Sequence, residues 1–228
     1  MNPLDLYSKI EPLIGFYEQY ESLYTIYLDL LKKLNVKSVL DVGCGNGKFL
    51  KHLQIGSFEA QGIDRSVAMV EKAIKEGVSA STRELSDFDE NSVDSIVAIA
   101  DVVNYIAPQE LELFFETVAR VIKSKGYFVF DVNTLYGFEE VADGVMHKES
   151  DEMFLCVEAT YHQKELLTKI TLFEKENDHY HKSTGQITQY FHAMAVLKKQ
   201  PQFKFVQAVD VTLFGDKPDK TVIILQKR

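Results

Sequence analysis

The sequence predicts an α/β protein built on a mainly parallel sheet, and three observations carry that expectation. Strand and helix patterns alternate strictly between residues 38 and 132, an order that calls for parallel strands joined by right-handed crossovers. Residues 94–100 form an almost continuous apolar run, rich in β-branched side chains, of the kind buried on both faces of a parallel sheet. After the first strand, Gly43, Gly45 and Gly47 stand at alternate positions, as needed where backbone turns tightly and comes close to a ligand.

Two helical segments come first. In the second, residues 16–34, Tyr17, Tyr20, Leu23, Tyr24, Tyr27, Leu30, Leu31 and Leu34 recur at helical spacing. The first strand is 38–42 and a helix over 46–54 follows the glycine turn. The second strand, 58–63, ends at Asp64, and Ser66 caps a helix that runs to residue 76 and stops at Gly77. Strands over 78–81 and 94–100 come next. Pro108 opens an amphipathic helix to residue 123, with Leu111, Phe114, Phe115, Val118 and Ile122 on one face. Gly126 then introduces a fifth strand over 127–132.

The pattern changes after residue 137. Segments 153–161, 165–174 and 179–190 read as three strands joined by polar turns at Gln163-Lys164 and Asn177-Asp178. Thr168, Ile170 and Leu172 alternate with Lys169, Thr171 and Phe173, as in an antiparallel sheet with unequal faces. Residues 137–191 are therefore expected to form an antiparallel insertion within one domain spanning 1–228. A helix over 192–200 and strands over 203–214 and 221–226 close the chain. Those last two strands are too close in sequence for a crossover helix, so they pair antiparallel.

With 228 residues, 46% of them hydrophobic, the chain can bury a full core. A formal net charge of -9 with scattered basic residues argues against bulk nucleic acid as a partner, which would demand a basic stripe. No apolar run approaches the roughly 20 residues of a membrane span. Residues 1–11 lack the features of a signal peptide, so a cytoplasmic setting is expected, with Cys44 and Cys156 as reduced thiols.

The chemistry concentrates in Val39-Leu40-Asp41-Val42-Gly43-Cys44-Gly45-Asn46-Gly47. An acid just before the turn suits a ligand carrying positive charge, and the combination points to a nucleoside with a cationic end. A nicotinamide or flavin site fits poorly. Its pattern is G-x-G-x-x-G, and a pyrophosphate would sit badly against Asp41.

On these residues the chain resembles the class I S-adenosylmethionine-dependent methyltransferases over nearly its whole length. Leu40 to Gly47 look like that family's cofactor loop. Gly62-Ile63-Asp64-Arg65-Ser66, with Met69 one turn on, Ser92-Val93-Asp94-Ser95-Ile96-Val97 and Ile122 to Asp131 follow in the family's order. The resemblance implies a doubly wound, seven-stranded Rossmann-like sheet with S-adenosyl-L-methionine as cofactor. It implies that Asp41 lies near the methionine end, that Gly43, Cys44, Gly45 and Gly47 pass beneath the cofactor, and that Asp64, beside Arg65, takes the ribose hydroxyls. Met69 would lie against the adenine. Where the family often has an acid after the third strand this chain has Ser81-Thr82-Arg83, so Thr82 or a backbone carbonyl takes that place, or packing alone holds the adenine.

Asp101-Val102-Val103-Asn104-Tyr105 follows the fourth strand, where the methyl group should lie. It lacks the prolines of the Asn/Asp-Pro-Pro-Tyr signature found in enzymes that methylate base amines. Asn104 and Tyr105 are divided between lining the substrate site and capping a strand. The tyrosines of the 16–34 helix read as core, although Tyr20 or Tyr24 would touch the cofactor if that helix forms a lid. No metal site is expected: His179 and His181 are two ligands only, and Asp131-Val132-Asn133 reads as a loop cap.

The expected activity is methyl transfer to a small-molecule acceptor, nitrogen being one option, by in-line displacement beneath the insertion as a roof. Asp101, Tyr105, His147 and His162 are the candidates for a general base, and the sequence does not choose among them. The alternatives are a non-catalytic S-adenosylmethionine-binding or regulatory protein on the same scaffold, and a protein methyltransferase.

Overall fold

A computed structural model of the protein describes residues 3–14 and 16–228, and of Tyr17 the backbone alone. Tyr17's side chain, placed by its spacing on the apolar helix face, lies outside the described residues. Two helices, α1 (Pro3–Ile14) and α2 (Tyr17–Lys33), precede β1 (Ser38–Val42), α3 (Lys48–Ile55), β2 (Glu59–Ile63), α4 (Val67–Lys75), β3 (Ala80–Ser81), β4 (Val93–Ala98), α5 (Leu111–Val121) and β5 (Ile122–Asn133). The chain then forms β6 (Gly144–Glu149), β7 (Met153–His162), β8 (Glu165–Glu176) and β9 (His179–Tyr190), a short α6 (Met194–Leu197), and finally β10 (Phe203–Val211) and β11 (Lys220–Lys227).

One sheet has seven strands in the order β10-β11-β5-β4-β1-β2-β3. Strands β1 to β5 are parallel to their neighbours, and β11 enters antiparallel between β5 and β10. Consecutive side chains of a strand point to opposite faces, and both faces are packed. Leu40, Ile96, Phe128 and Ile223 join Phe115 and Phe203 in one cluster. Their neighbours Val39, Val97, Val129 and Ile224 join Leu23, Tyr27 and Phe49 on the other side. This two-sided burial is why β4 reads as a continuous apolar run rather than an alternating one.

Asp94 fixes the lower edge of that sheet. Its Oδ2 accepts from the backbone N–H of Lys37 and of Ser38, both at 2.9 Å, and Lys123 donates to Oδ1 at 2.8 Å. Although burial opposes it, Lys123 and the two N–H donors hold this carboxyl well below the usual carboxylate range.

A second, antiparallel sheet has the order β6-β7-β8-β9. Strand β6 escaped sequence reading because nearly all of it is exposed, which erases the alternation that betrays a half-buried strand. The expected polar turns are present: Gln163, Lys164 and Asn177 have positive φ, the conformation tight hairpins require. Helix α1 lays Leu6 and Ile10 against Leu155, Ile170, Leu172 and Ile187 of this sheet.

Other differences lie at boundaries. The 108–123 helix is shortened to Leu111–Val121, because Ile122 already pairs with Val93. The ladder shifts register there, and a side chain on Gly126 would meet the Asp94 carbonyl oxygen at 2.4 Å. The 192–200 helix contracts to the single turn of α6.

Phe115 makes edge-to-face contacts with Phe128, Phe130 and Phe203 and is fully buried. Phe115→Ala is therefore expected to lower unfolding stability by about 3–5 kcal/mol, read from denaturant midpoints at unchanged slope.

Candidate active site

Strand order reverses at β1, which has β4 on one side and β2 on the other, and in open α/β sheets ligands bind beyond the carboxyl ends of strands at such a point. The crevice found there is large, ≈ 730 Å³. Its floor is the glycine turn, its far wall is the end of β2 with the start of α4, and its near wall is the segment after β4. Pro3, Leu4 and Tyr7 of α1, Tyr20 and Tyr24 of α2, and Gln186, Ile187 and Thr188 of β9 enclose it.

The turn is held by its neighbours. The N–H groups of Gly43 and Cys44 both donate to the Ile63 carbonyl, at 2.8 and 3.0 Å. Gly45 N–H donates to Asp64 Oδ2 at 2.9 Å, and Ser66 N–H to Asp64 Oδ1 at 2.8 Å. Gly45 has φ +53° with open space where a side chain would stand, so the backbone there faces the crevice bare. Gly47 is different. A side chain on it would meet Val78 at 2.7 Å and Ala73 at 2.8 Å, so this glycine lets α3 pack close to α4.

Asp41, two residues before the turn, is fully buried, and neither carboxylate oxygen has a hydrogen-bond partner among the described residues. Burial and then the nearby Asp64 push its pKa up to about 8. A buried carboxyl left unsatisfied beside a crevice suits a ligand whose cationic end approaches it. The same burial, with Asp41 and Asp64, raises the Cys44 thiol far above its ordinary range and makes it a poor nucleophile.

A polar cluster occupies the other wall. Lys220, at the start of β11 and 2% exposed, donates to Asp101 Oδ1 and to Asn133 Oδ1, and lies 3.4 Å from Asp131 Oδ2. Asp131 accepts from Tyr27 Oη at 2.8 Å, from Ala100 N–H at 2.8 Å and from Asp101 N–H at 2.9 Å. Asp101 Oδ2 accepts from Gln189 Nε2 of β9 at 2.7 Å. Burial pulls the Lys220 pKa down, but Asp101 and Asp131 outweigh it and hold it above the ordinary lysine value.

Known proteins place this architecture. The family profile described as "Methyltransferase domain" matches residues 40–130, the stretch that builds the turn, Asp64 and the segment after β4. That stretch of the chain is thus similar to methyltransferase domains. The chain is 32% identical over 124 residues to the putative methyltransferase YqeM of Bacillus subtilis, covering 50% of this chain and 49% of that one, so the match spans about half the length of that relative. Among solved structures it resembles an S-adenosylmethionine-dependent methyltransferase from Clostridium acetobutylicum, with TM-score 0.76 and 20% identity over 97% of this chain and 96% of the other. It also resembles the sugar N-methyltransferase KedS8 from a Streptoalloteichus species, with TM-score 0.72 and 18% identity over 90% and 86%.

Of the residues read from sequence toward this family's site, the structure brings Gly43, Cys44, Gly45, Asp64, Arg65, Met69, Asp101, Tyr105 and Tyr20 to the crevice wall. Asp41 lies behind the wall, not on it. Gly47 does not reach the crevice and serves helix packing. Thr82 is exposed and off the wall, where Arg83, Glu84, Leu85 and Ser86 stand instead. His147 and His162, candidate bases, are exposed on β6 and β7 and do not line the crevice. Asp131 caps the loop after β4, as read. Asn104 is a tie, donating to the Tyr190 carbonyl and accepting from Asn133 N–H, while its neighbour Tyr105 faces the crevice. Tyr27 is core, but Tyr20 and Tyr24 line the site. Sequence reading missed Tyr7, Gln189 and Lys220; only Lys220, a lone cation opening the apolar run Val222 to Leu225, left a trace.

The folded protein keeps the Asp41 proton up to about pH 8, whereas an unfolded chain releases it near pH 4. Folding stability contributed at this residue therefore falls as pH rises between those two values. Asp41→Asn is expected to remove that fall: its melting midpoint should gain on wild type steadily from pH 5 to pH 8 and no further above.

Proposed function

We propose that this protein is an S-adenosylmethionine-dependent methyltransferase whose acceptor is a small molecule. The observation that carries the reading is the Asp64 carboxylate, fixed by Gly45 and Ser66 N–H at the crevice edge with lone pairs still free for a sugar diol. In this reading the bare backbone at Gly43 to Gly45 lies under the nucleoside, and Met69 and Leu85, both buried on the wall, form an apolar slot for adenine. The amino-acid end points toward Asp41, whose ionised form its ammonium would favour. The similar structures, an S-adenosylmethionine-dependent methyltransferase and a sugar N-methyltransferase, are in keeping with it.

When bound, the cofactor supplies a methyl carbon on a sulfonium, a good leaving group, so the chain's main task is alignment. Tyr20 and Tyr105 keep their hydroxyl protons, since burial, followed by nearby tyrosines and carboxylates, raises both pKa values well above normal. They position and exclude water rather than act as bases. A small acceptor is favoured because α1, α2 and β9 close over the crevice, which leaves a polymer little approach.

Calorimetry should detect binding of S-adenosylhomocysteine to the wild type, weakened at least ~10-fold in Asp64→Ala, which loses a charge-assisted acceptor. With methyl-labelled cofactor and a cell extract, label is expected in the small-molecule fraction. Label confined to macromolecules would favour protein methylation, and binding without any transfer would favour a regulatory protein.

A further inference from the structure

The acceptor end of the crevice has a charge of its own. Ala100 and Asp101 are consecutive non-glycine residues with left-handed φ, +63° and +58°, a conformation that crowds Cβ against the following carbonyl oxygen. Such strain persists only where the surroundings impose it, and it gathers at functional sites. Here Asp131 imposes it by accepting both N–H groups. The strained turn sets Asp101 on the crevice wall, its side chain 15% exposed, between Lys220 below and Gln189 beside it.

The cluster holds two carboxylates and one ammonium. Asp131 accepts from Tyr27 and two backbone N–H groups and lies beside the Lys220 ammonium, and these oppose the rise that burial and the neighbouring Asp101 carboxylate impose on its pKa. Asp101 is also paired to Lys220, so two carboxyl groups share one ammonium, and Asp101 is the cluster's member on the crevice wall. Each of its oxygens takes one donor and keeps a lone pair.

Three tyrosines share the crevice with this carboxylate. Tyr20 and Tyr105 both lie within electrostatic reach of Asp101 and of Tyr7, and all three tyrosines line the crevice. The basic wall residues Lys48, Arg65 and Arg83 stand on the β1–β3 side, whereas the segment between β4 and α5 contributes Asp101 and Glu110. A carboxylate amid tyrosine rings is a recognition site for an ammonium group.

We propose that the acceptor is a small primary or secondary amine, bound as its ammonium by Asp101 among Tyr7, Tyr20 and Tyr105. This rests on the methyltransferase reading of the same crevice. Asp101 accepts one ammonium proton, and the nitrogen pair so freed forms the N–C bond to the methyl carbon while the C–S pair passes to sulfur. The proton on Asp101 leaves to solvent, and the product departs as the methylated ammonium.

Three shape-matched probes test this by calorimetry at pH 7 with S-adenosylhomocysteine present: cyclohexylamine, cyclohexanol and cyclohexanecarboxylate. The amine is expected to bind at least ~10-fold tighter than either of the others. Asp101→Asn, checked for folding by its melting curve, is expected to bring the amine-to-alcohol ratio to about one; a preference that survives the substitution overturns the assignment. Wild type decides the matter even if that variant does not fold: equal affinities, a preference for the carboxylate, or no amine binding at ~50 mM overturns it. Failure of S-adenosylhomocysteine itself to bind marks the cofactor reading as the fault, and takes this proposal with it. Normal binding of that ligand without amine preference refutes the amine alone.

Discussion

One carboxylate joins the two halves of the crevice. Asp64 ends β2, receives the Gly45 N–H on one oxygen and the Ser66 N–H on the other, and so sets the distance between the glycine turn and the start of α4. Ser66 in turn caps α4 by accepting from Met69 N–H and donates to Asp5 of α1 at 2.6 Å. Floor, far wall and the α1 cover are therefore linked through adjacent residues. Burial raises the Asp64 pKa, and the two backbone donors oppose that rise, so the group that organises the site also stays an acceptor.

The three other acids Asp131, Asp101 and Asp41, the first and last buried and Asp101 half-buried, are treated in opposite ways. Asp131 and Asp101 share Lys220, and each carboxylate oxygen of the pair accepts at least one donor, the condition under which buried charge is tolerated. Asp41 has none. The first arrangement gives rigidity: it locks a strained turn after β4 and ties it to β5, β11 and β9. The second gives a site whose own energy improves when a cation arrives. A folded protein retains an unsatisfied buried carboxyl at a cost, and a ligand that relieves it binds more tightly for that reason.

Much of this was legible in the sequence, because the relevant signals are local. Alternating glycines, an acid ending a strand and Ser66 ahead of a helix are set by the conformation of a few adjacent residues, and the structure has each of them where the pattern put it. The doubly packed sheet was legible for a related reason, since β4 carries its two-sided burial in composition. Elements without such a local cause were not. Strand β6 is exposed and patternless. Gln189 and Lys220 gain their meaning from Asp101, 88 and 119 residues away, and nothing at their own positions announces that contact. Gly47 and Thr82 show the converse: a pattern assigned them to the ligand, but the glycine answers to helix packing and the threonine faces outward.

The central claim is that the turn after β1 and the acid after β2 form one nucleoside site. A crystal structure of the protein grown with S-adenosylhomocysteine tests it most directly. The account requires the ribose hydroxyls on Asp64, the nucleoside over Gly43 to Gly45, and the amino group directed toward Asp41. A nucleoside found elsewhere, or an Asp64 carboxylate that keeps only its two backbone donors while the ligand lies apart from it, would contradict the account.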